Sequence, residues 1–381
     1  MEGPRNGFEY LQLLKEKAKD GQPSFIKFER YLDIKARDRR IPISGQFELT
    51  PLCNFDCRMC YVHLTKEQMK DLPVLPVAKW KKLIAQAFNA GMFRATLSGG
   101  ECLSHPGFKE IYLYLQSLGC EVTVLTNGSL LDGEYVRFFK EHMPRMIRIT
   151  LYGYDEDSYE RVTGRRCFGE VCDHIRQIRE AGLPLTISVT PNKFLGEGVF
   201  ETMRTAKSLC PNLKISNSLF NPRQETGRAG QENDVDLEYY RRIHELYNSL
   251  NGMECIEIPE DQLPEPGGPS HECSETGLLC GGGMSSFSID WKGNMHPCER
   301  MPEVEAYPLR DGFKTAWESI NQTARSWPRV PECDGCAYFP TCIICAAYMR
   351  TFAEPGRQPL GLCRRTRYLV QHGVWHLPDC T

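Results

Sequence analysis

The stretch "LTPLCNFDCRMCYV" (49–62) sets Cys53, Cys57 and Cys60 in a C-x3-C-x2-C spacing. It directly follows a short apolar segment, "GQFELT" (45–50). A cubane iron–sulfur cluster takes four thiolates, and a tetrahedral zinc site takes four ligands. A tight loop that stops at three thiols can hold three irons of a cubane. The fourth iron then keeps an open position, which metal catalysis uses to admit a ligand. The alternatives are three unrelated buried thiols or a zinc site completed from elsewhere. The spacing, just past a strand, weighs against both.

Outward from this loop, residues 45–250 alternate strand and helix signals. The strand candidates are "GQFELT" (45–50), "RATLSGG" (94–100), "EVTVLTN" (121–127), "MIRITLYG" (146–153), "LTISVT" (185–190) and "LKISNSLF" (213–220). Each is short, rich in apolar or β-branched residues, and closed by Gly, Asn or Pro. Amphipathic periodicity predicts helices over 77–90, 108–118, 131–142 and 168–181. Six such units predict an α/β fold with a parallel sheet, curved or open, whose reactive end lies where strands finish. The cysteine loop sits at that end.

Residues 1–44 read as a charged helical segment, and the basic run 35–40 as a solvated helix end. Residues 251–381 lose helical periodicity and become rich in Gly, Pro and Cys. Residues 259–270 read as a linker, and "FSIDWKGNMHPC" (287–298) as a hairpin turning at Lys292-Gly293-Asn294. A loop-rich segment with so little regular core needs something else to hold it. The chain therefore divides into 1–44, 45–250 and 251–381.

The chain has 381 residues, 41% of them hydrophobic and 25% charged, which is ordinary for a soluble globular protein. A net charge of −3 gives no broad basic surface, so nucleic acid is not an expected partner. The N-terminus lacks the apolar run of a secretion signal, and no stretch is long enough to cross a bilayer. The expected location is the cytoplasm, with no membrane partner. Eighteen cysteines in a reducing compartment point to bound metal rather than disulfides.

Cys53, Cys57, Met59 and Cys60 fit C-x3-C-x-Φ-C, with Φ apolar, and the second strand candidate ends in "SGGE" (98–101). On these residues the sequence resembles the radical S-adenosylmethionine (SAM) superfamily. The resemblance implies a partial (β/α)6 barrel and a [4Fe–4S] cluster on the three cysteines. It also implies SAM chelated to the open iron, and one-electron cleavage to a 5′-deoxyadenosyl radical. Met59, Gly99, Gly100 and Glu101 would contact SAM, the Gly-Gly-Glu turn gripping its ammonium group. The glycines allow close backbone approach and Glu101 offers an acceptor. By the same analogy Thr126 and Asn127 line the site, Tyr152 faces the cavity, Arg161 meets the SAM carboxylate and Ser188 lies near the ribose or carboxylate. Each of these last five also has an ordinary surface or packing reading.

In the C-terminal third, Cys280, Gly293 and Cys298 form C-x12-G-x4-C. "CDGCAYFPTCIIC" (333–345) and Cys363 follow. This resembles the SPASM extension of radical SAM enzymes, which implies two auxiliary [4Fe–4S] clusters and three in all. One departure concerns Cys342 and Cys345, which stand two residues apart where the pattern has three; it puts the ligand pairing in question. Carried over, the first auxiliary cluster takes Cys280, Cys298 and Cys345, with Cys273 as fourth ligand and Cys255 in reserve. The second takes Cys333, Cys336, Cys342 and Cys363, with Cys380 as substitute for the last. A four-cysteine zinc site at 333–345 is the plain alternative. Cys102, Cys120, Cys167, Cys172 and Cys210 read as small buried hydrophobes. Glu299, beside Cys298, is the candidate catalytic proton acceptor, against an ordinary role as a solvated loop glutamate. His63, His105 and His296, near the motif segments, are the alternatives to Glu299, each with a structural reading as well.

The resemblance implies hydrogen-atom abstraction from a peptide or protein, and first of all maturation of a ribosomally made peptide through a thioether or C–C crosslink. The electron donor would be a flavodoxin or ferredoxin. Many such maturases carry a leader-binding domain of roughly 80 residues, and residues 1–44 are too few for one. A separate leader-binding protein, or direct docking, is expected instead. The alternatives are formylglycine formation as in anaerobic sulfatase maturases, dehydrogenation of a small alcohol, and a non-catalytic electron carrier. A carrier has no use for an open iron.

Overall fold

Alternation along the strands decides what each face of the sheet meets. Phe47, Leu97, Val124, Ile147, Ile149 and Ile187 are fully buried on one face, under the helices. Gln46, Ser98, Arg148, Thr150 and Ser188 face a cavity on the other. Apolar residues at every second position drive one face onto the helices, while the polar set between them leaves the concave face for a ligand.

The protein is seen here as a computed structural model. It describes residues 25–70, 74–216, 236–264, 278, 280–333, 336–339, 341–342, 345–350 and 353–377, with the side chains of 25–27 and 30 left out. Cys273, Cys380, residues 217–220 of the last strand candidate and residues 265–270 of the linker candidate lie outside the described residues.

Helix α1 (Phe25–Arg39) precedes the first strand. Then come β1 (Ser44–Glu48), α2 (Val77–Asn89), β2 (Arg94–Ser98), α3 (Phe108–Ser117), β3 (Glu121–Thr126), α4 (Gly133–Glu141) and β4 (Met146–Leu151). Two helices follow β4, namely α5 (Glu156–Thr163) and α6 (Phe168–Glu180). Next are β5 (Leu185–Val189), α7 (Gly198–Leu209), β6 (Leu213–Ile215) and α8 (Leu237–Leu250). The strands β1 to β6 lie side by side in chain order, all parallel. This is the curved, open (β/α) sheet that the sequence predicts. The extra helix α5 was not expected. Asp155 starts it with a capping box through Ser158, and Gly164 ends it at φ 73°, a left-handed turn that glycine takes without strain.

The sheet has two further strands. β7 (Ser286–Ile289) pairs in parallel with β1, Gly45 opposite Phe287, and β8 (Met295–His296) returns antiparallel to β7. The hairpin turns where the sequence places it: the Asp290 carboxylate accepts from the Lys292 and Asn294 N–H groups, and Gly293 sits at φ 92°. Residues of the C-terminal stretch thus extend the sheet beyond β1. Phe287 fits because a Cβ on Gly45 would lie 2.6 Å from its ring, and it meets Phe47 edge to face at 6.0 Å. The short α9 (Pro308–Asp311), α10 (Phe313–Ser326), α11 (Ala346–Met349) and α12 (Leu360–Gln371) complete the described chain.

At the opposite end of the strands, α1 is tied down by ion pairs. Arg94, at the start of β2, pairs with Asp33 at 2.6 Å, and Arg145, just before β4, pairs with Glu29 and Glu121. Among the described residues, no helix is long and apolar enough to cross a membrane.

Candidate active site

The cysteine loop lies across the ends of β1 to β4 and is pinned from three sides. Gly100 N–H donates to Thr50 O at 2.7 Å and Glu101 N–H to Leu52 O at 3.0 Å, joining it to β2. Asp56 N–H and Arg58 N–H donate to Thr163 O and Val162 O of α5. Asn127 Nδ2 donates to Asn54 Oδ1 at 2.8 Å, joining the loop to β3. Phe55 fills the space beneath, edge-on to Tyr152 and Tyr159 at 6.2 Å each.

The three thiols border one cavity of about 310 Å³. N–H donors are aimed at the sulfurs: Phe55 N–H to Cys53 Sγ at 3.3 Å, His63 N–H to Cys60 Sγ at 3.3 Å, and Asn127 Nδ2 to Cys53 Sγ at 3.7 Å. Such donors favour a thiolate over a thiol. Burial nevertheless pushes the Cys53 thiol up to about 12, so a positive partner at the sulfur is needed to hold it ionised. The donor set therefore fits a soft, thiolate-bound iron cluster. Among the described residues no three His, Cys, Asp or Glu side chains converge on a single metal ion. A cluster, which spreads its ligands over several irons, makes no such demand.

Met59, Gly99, Gly100, Thr126, Asn127, Tyr152, Ser188 and Glu299 all line this cavity with the three cysteines. Two of the expected contacts are corrected. The Glu101 carboxylate does not border the cavity. It is 1% exposed and turned into the protein, where it accepts from Leu103 N–H at 3.0 Å, Thr126 Oγ1 at 2.9 Å and Asn127 N–H at 2.7 Å. Burial pushes it up to about 7, against the pull of these donors. Arg161 is not in the cavity either. It lies exposed on α5, and its Nε donates to Phe194 O at 3.0 Å.

The role expected of the glycines also changes. A Cβ on Gly99 would lie 2.4 Å from Thr50 O, and one on Gly100 2.4 Å from Leu52 O. The backbone that needs their space belongs to the cysteine loop itself.

The lining residues missed by sequence reasoning include Tyr61, Arg300 and Arg148. Tyr61 Oη donates to Glu299 Oε1 at 3.3 Å, and Arg300 Nε lies 3.5 Å from the same oxygen. Arg148 reaches the cavity from within β4; the alternation Met146, Arg148, Thr150, Tyr152 was the available signal. His63 also lines the cavity, with Nδ1 3.2 Å from Asp56 Oδ1. His105 and His296 make loop contacts, accepting from Gly107 N–H and bonding Val304 O respectively.

In the C-terminal third, Cys345 sits close enough to Cys280 and to Cys298 for its charge to act on each. Arg300 N–H donates to Cys298 Sγ at 3.3 Å. Cys333, Cys336, Cys342 and Cys363 line a second cavity of about 500 Å³, and Thr366 Oγ1 donates to Cys342 Sγ at 3.4 Å. Cys255 lies elsewhere, with Asn248 Nδ2 3.4 Å from its sulfur. Tyr61, Cys298, Cys342 and Cys345 pack against one hydrophobic cluster around Met301 and Tyr348; of these, Tyr61 lines the first cavity and Cys342 the second.

Comparison with known proteins gives the following. Residues 47–208 match the model of the Radical SAM superfamily. The antilisterial bacteriocin subtilosin biosynthesis protein AlbA of Bacillus subtilis (strain 168) is 24% identical over 284 residues, 74% of this chain and 59% of AlbA. The chain thus spans less than two thirds of that relative. The AdoMet-dependent heme synthase of Methanosarcina barkeri (strain Fusaro / DSM 804) is 24% identical over 333 residues, 81% of this chain and 92% of the synthase. Among solved structures, Streptococcus suis SuiB bound to S-adenosylmethionine superposes with a TM-score of 0.65 at 16% identity, over 94% of this chain and 88% of SuiB. SuiB bound to its precursor peptide SuiA gives 0.64 at 15%, over 89% and 81%. At that identity the likeness is one of fold.

Proposed function

We propose that this chain, whose residues 47–208 form a radical SAM domain, is an enzyme that cleaves SAM reductively and removes a hydrogen atom from a peptide. Its product would be a thioether or C–C crosslink in a ribosomally made peptide. The observation that carries this reading is that Cys53, Cys57, Cys60 and Glu299 line one and the same cavity. When bound, the cluster and SAM supply one-electron cleavage of a carbon–sulfur bond.

The chain's own residues do the rest. Cys53, Cys57 and Cys60 hold the cluster, and Phe55, His63 and Asn127 stabilise the thiolates with N–H donors. Gly99 and Gly100 set the cysteine loop at its height above β2. Met59, Thr126, Asn127, Tyr152 and Ser188 line the space for SAM. Glu299, oriented by Tyr61 and Arg300, takes the substrate proton. Cys280, Cys298 and Cys345, with Cys273, hold one auxiliary cluster. Cys333, Cys336, Cys342 and Cys363 hold the other, as a SPASM domain does. These clusters would supply an electron acceptor for the substrate, and the electron donor to the first would be a flavodoxin or ferredoxin. AlbA and SuiB, a bacteriocin biosynthesis protein and a protein seen with its precursor peptide, support the peptide substrate.

A second reading, a small-molecule substrate, draws on the 92% coverage of the heme synthase against 59% of AlbA. Anaerobic reconstitution is expected to load about twelve irons. Changing Cys53, Cys57 and Cys60 to Ala leaves roughly eight and abolishes 5′-deoxyadenosine formation. Full deoxyadenosine formation in that variant would end the proposal. Peptide products with a mass loss of two hydrogens, seen on co-expression with a neighbouring precursor gene, separate the first reading from the second.

A further inference from the structure

Arg148 is an unusual residue for the middle of a buried parallel strand. It stands level with Leu125 of β3 and Thr186 of β5, and it lines the same cavity as the three cysteines. Its Nε is buried and has no hydrogen-bond partner among the described residues. Burial alone pushes its guanidinium below the usual range, with no carboxylate offsetting it. Two strands away Lys214, opposite Ser188, is pushed down by burial and then by the charge of Arg148. A cation left unpaired in such a place is unfavourable in the free protein, and a matching anion relieves it.

Arg148 lies below the strand ends, level with Leu125, whereas Cys53 meets Asn127 two residues further up β3. Tyr152, at the top of the same cavity wall, is four residues further along the chain, about 13 Å at strand rise. The thiols approach from the loop beyond β1, at the upper end. The cysteines would anchor SAM at that end through the cluster, which leaves the position of Arg148 to the other occupant of the cavity.

We infer that Arg148 is a specificity determinant that binds a carboxylate of the substrate deep in the barrel, so the substrate presents an acidic side chain or propionate-like arm beside the reacting carbon. The inference rests on the radical reading above and names its substrate class. The planar guanidinium fork matches a carboxylate bidentately, which Lys cannot reproduce.

The test uses reconstituted full-length holoenzyme with SAM present, titrated anaerobically by calorimetry with glutarate and with glutaramide as probes. Wild type is expected to bind glutarate at least about tenfold more tightly than its uncharged analogue. Arg148→Met brings glutarate down to the level of glutaramide, and Arg148→Lys restores part of the difference. Equal binding of the two probes by wild type overturns the inference, and needs no variant to fold. A loss of SAM affinity in Arg148→Met with glutarate binding intact also overturns it, by assigning Arg148 to the SAM carboxylate. Reduction with dithionite keeps the two readings apart. Glutarate selectivity without deoxyadenosine formation sinks the radical reading and leaves the anionic pole. Deoxyadenosine formation without selectivity sinks this inference alone.

Discussion

Gly100→Ala is the substitution whose consequence can be followed furthest. The added Cβ would lie 2.4 Å from Leu52 O and 2.7 Å from both Leu52 C and Pro51 O. Ordinary contact begins near 3.4 Å, so about 1 Å must open between β2 and the loop. All three atoms are backbone and no side chain can swing aside. Overpacking of this kind costs ~1–3 kcal/mol. The bonds from Gly100 N–H to Thr50 O and from Glu101 N–H to Leu52 O stretch with it, at ~1 kcal/mol each. The sum, about 3–5 kcal/mol, corresponds to a melting fall of roughly 4–6 °C in a chain of this size.

Leu52 immediately precedes Cys53, so the same displacement carries a cluster ligand. Metal–ligand distances tolerate only ~0.2 Å. Gly100→Ala is therefore expected to lose up to about four irons on reconstitution and to form deoxyadenosine at least ~100-fold more slowly. Gly133→Ala is the control. It opens α4, and its Cβ meets nothing nearer than Arg137 Nη1 at 3.7 Å. It should be neutral or stabilising by up to ~1 kcal/mol. Calorimetric melting, iron analysis and product assay on both variants decide the matter. If Gly100→Ala melts and reconstitutes like Gly133→Ala, the steric account of the Gly-Gly turn is wrong.

Two pH signatures of opposite sign follow from buried groups. Glu101, raised from 4.5 to about 7 by burial, favours the fold most when protonated. Its contribution of ~3 kcal/mol is present below pH 4.5 and is lost as pH rises through 7, so Glu101→Gln should flatten the fall in melting temperature between pH 5 and 7.5; an unchanged slope refutes the assignment. His244, lowered from 6.5 to about 4 by burial, is held neutral against Trp375, whose Nε1 donates to its Nδ1 at 3.3 Å. Its contribution, also ~3 kcal/mol, is present above pH 6.5 and disappears as pH falls to 4. His244→Phe should therefore lose less stability than wild type on acidification across that window, measured by melting at fixed ionic strength.

The cysteine loop was legible because its chemistry is local. Three thiols at fixed spacing after a strand need no knowledge of what the rest of the chain does. The C-terminal cysteines were grouped by resemblance to the SPASM pattern, and among them Cys333, Cys336, Cys342 and Cys363 line one cavity. The glycines of "SGGE" were found for a different reason from the one the fold gives them, since close approach of another chain segment leaves the same mark in a sequence as close approach of a ligand. Glu101 and Arg161 show the limit of analogy. Each lies in the expected segment, but side-chain direction depends on which donors and acceptors surround it. Three buried donors capture the Glu101 carboxylate, and Phe194 O captures Arg161. The pairing of β7 with β1 was hidden altogether. Ser44 and Ser286 are joined across most of the chain, and nothing in "SFSI" says which edge it will find.

Arg148 was hidden in plain view, and the reason bears on how this fold separates stability from activity. A buried parallel strand usually reads as a continuous apolar run. "MIRITL" alternates instead, and so do its neighbours, with Gln46 flanking Phe47 and Ser188 between Ile187 and Val189. A barrel that fills its own interior does so with Val, Ile and Leu. Here Ile147, Ile149 and Ile187 are fully buried on the helix-facing side, and the strands present mainly polar residues to the cavity, with Leu125 an exception. The hydrophobic stabilisation of the sheet therefore resides on one face and the ligand chemistry on the other. Changes on the inner face remove little apolar burial, and Arg148→Met even replaces a half-buried cation, whose Nε has no partner among the described residues, with an apolar chain of similar length. That substitution should leave the melting temperature unchanged or higher while it abolishes anion selectivity, a separation that a residue placed for packing would not show.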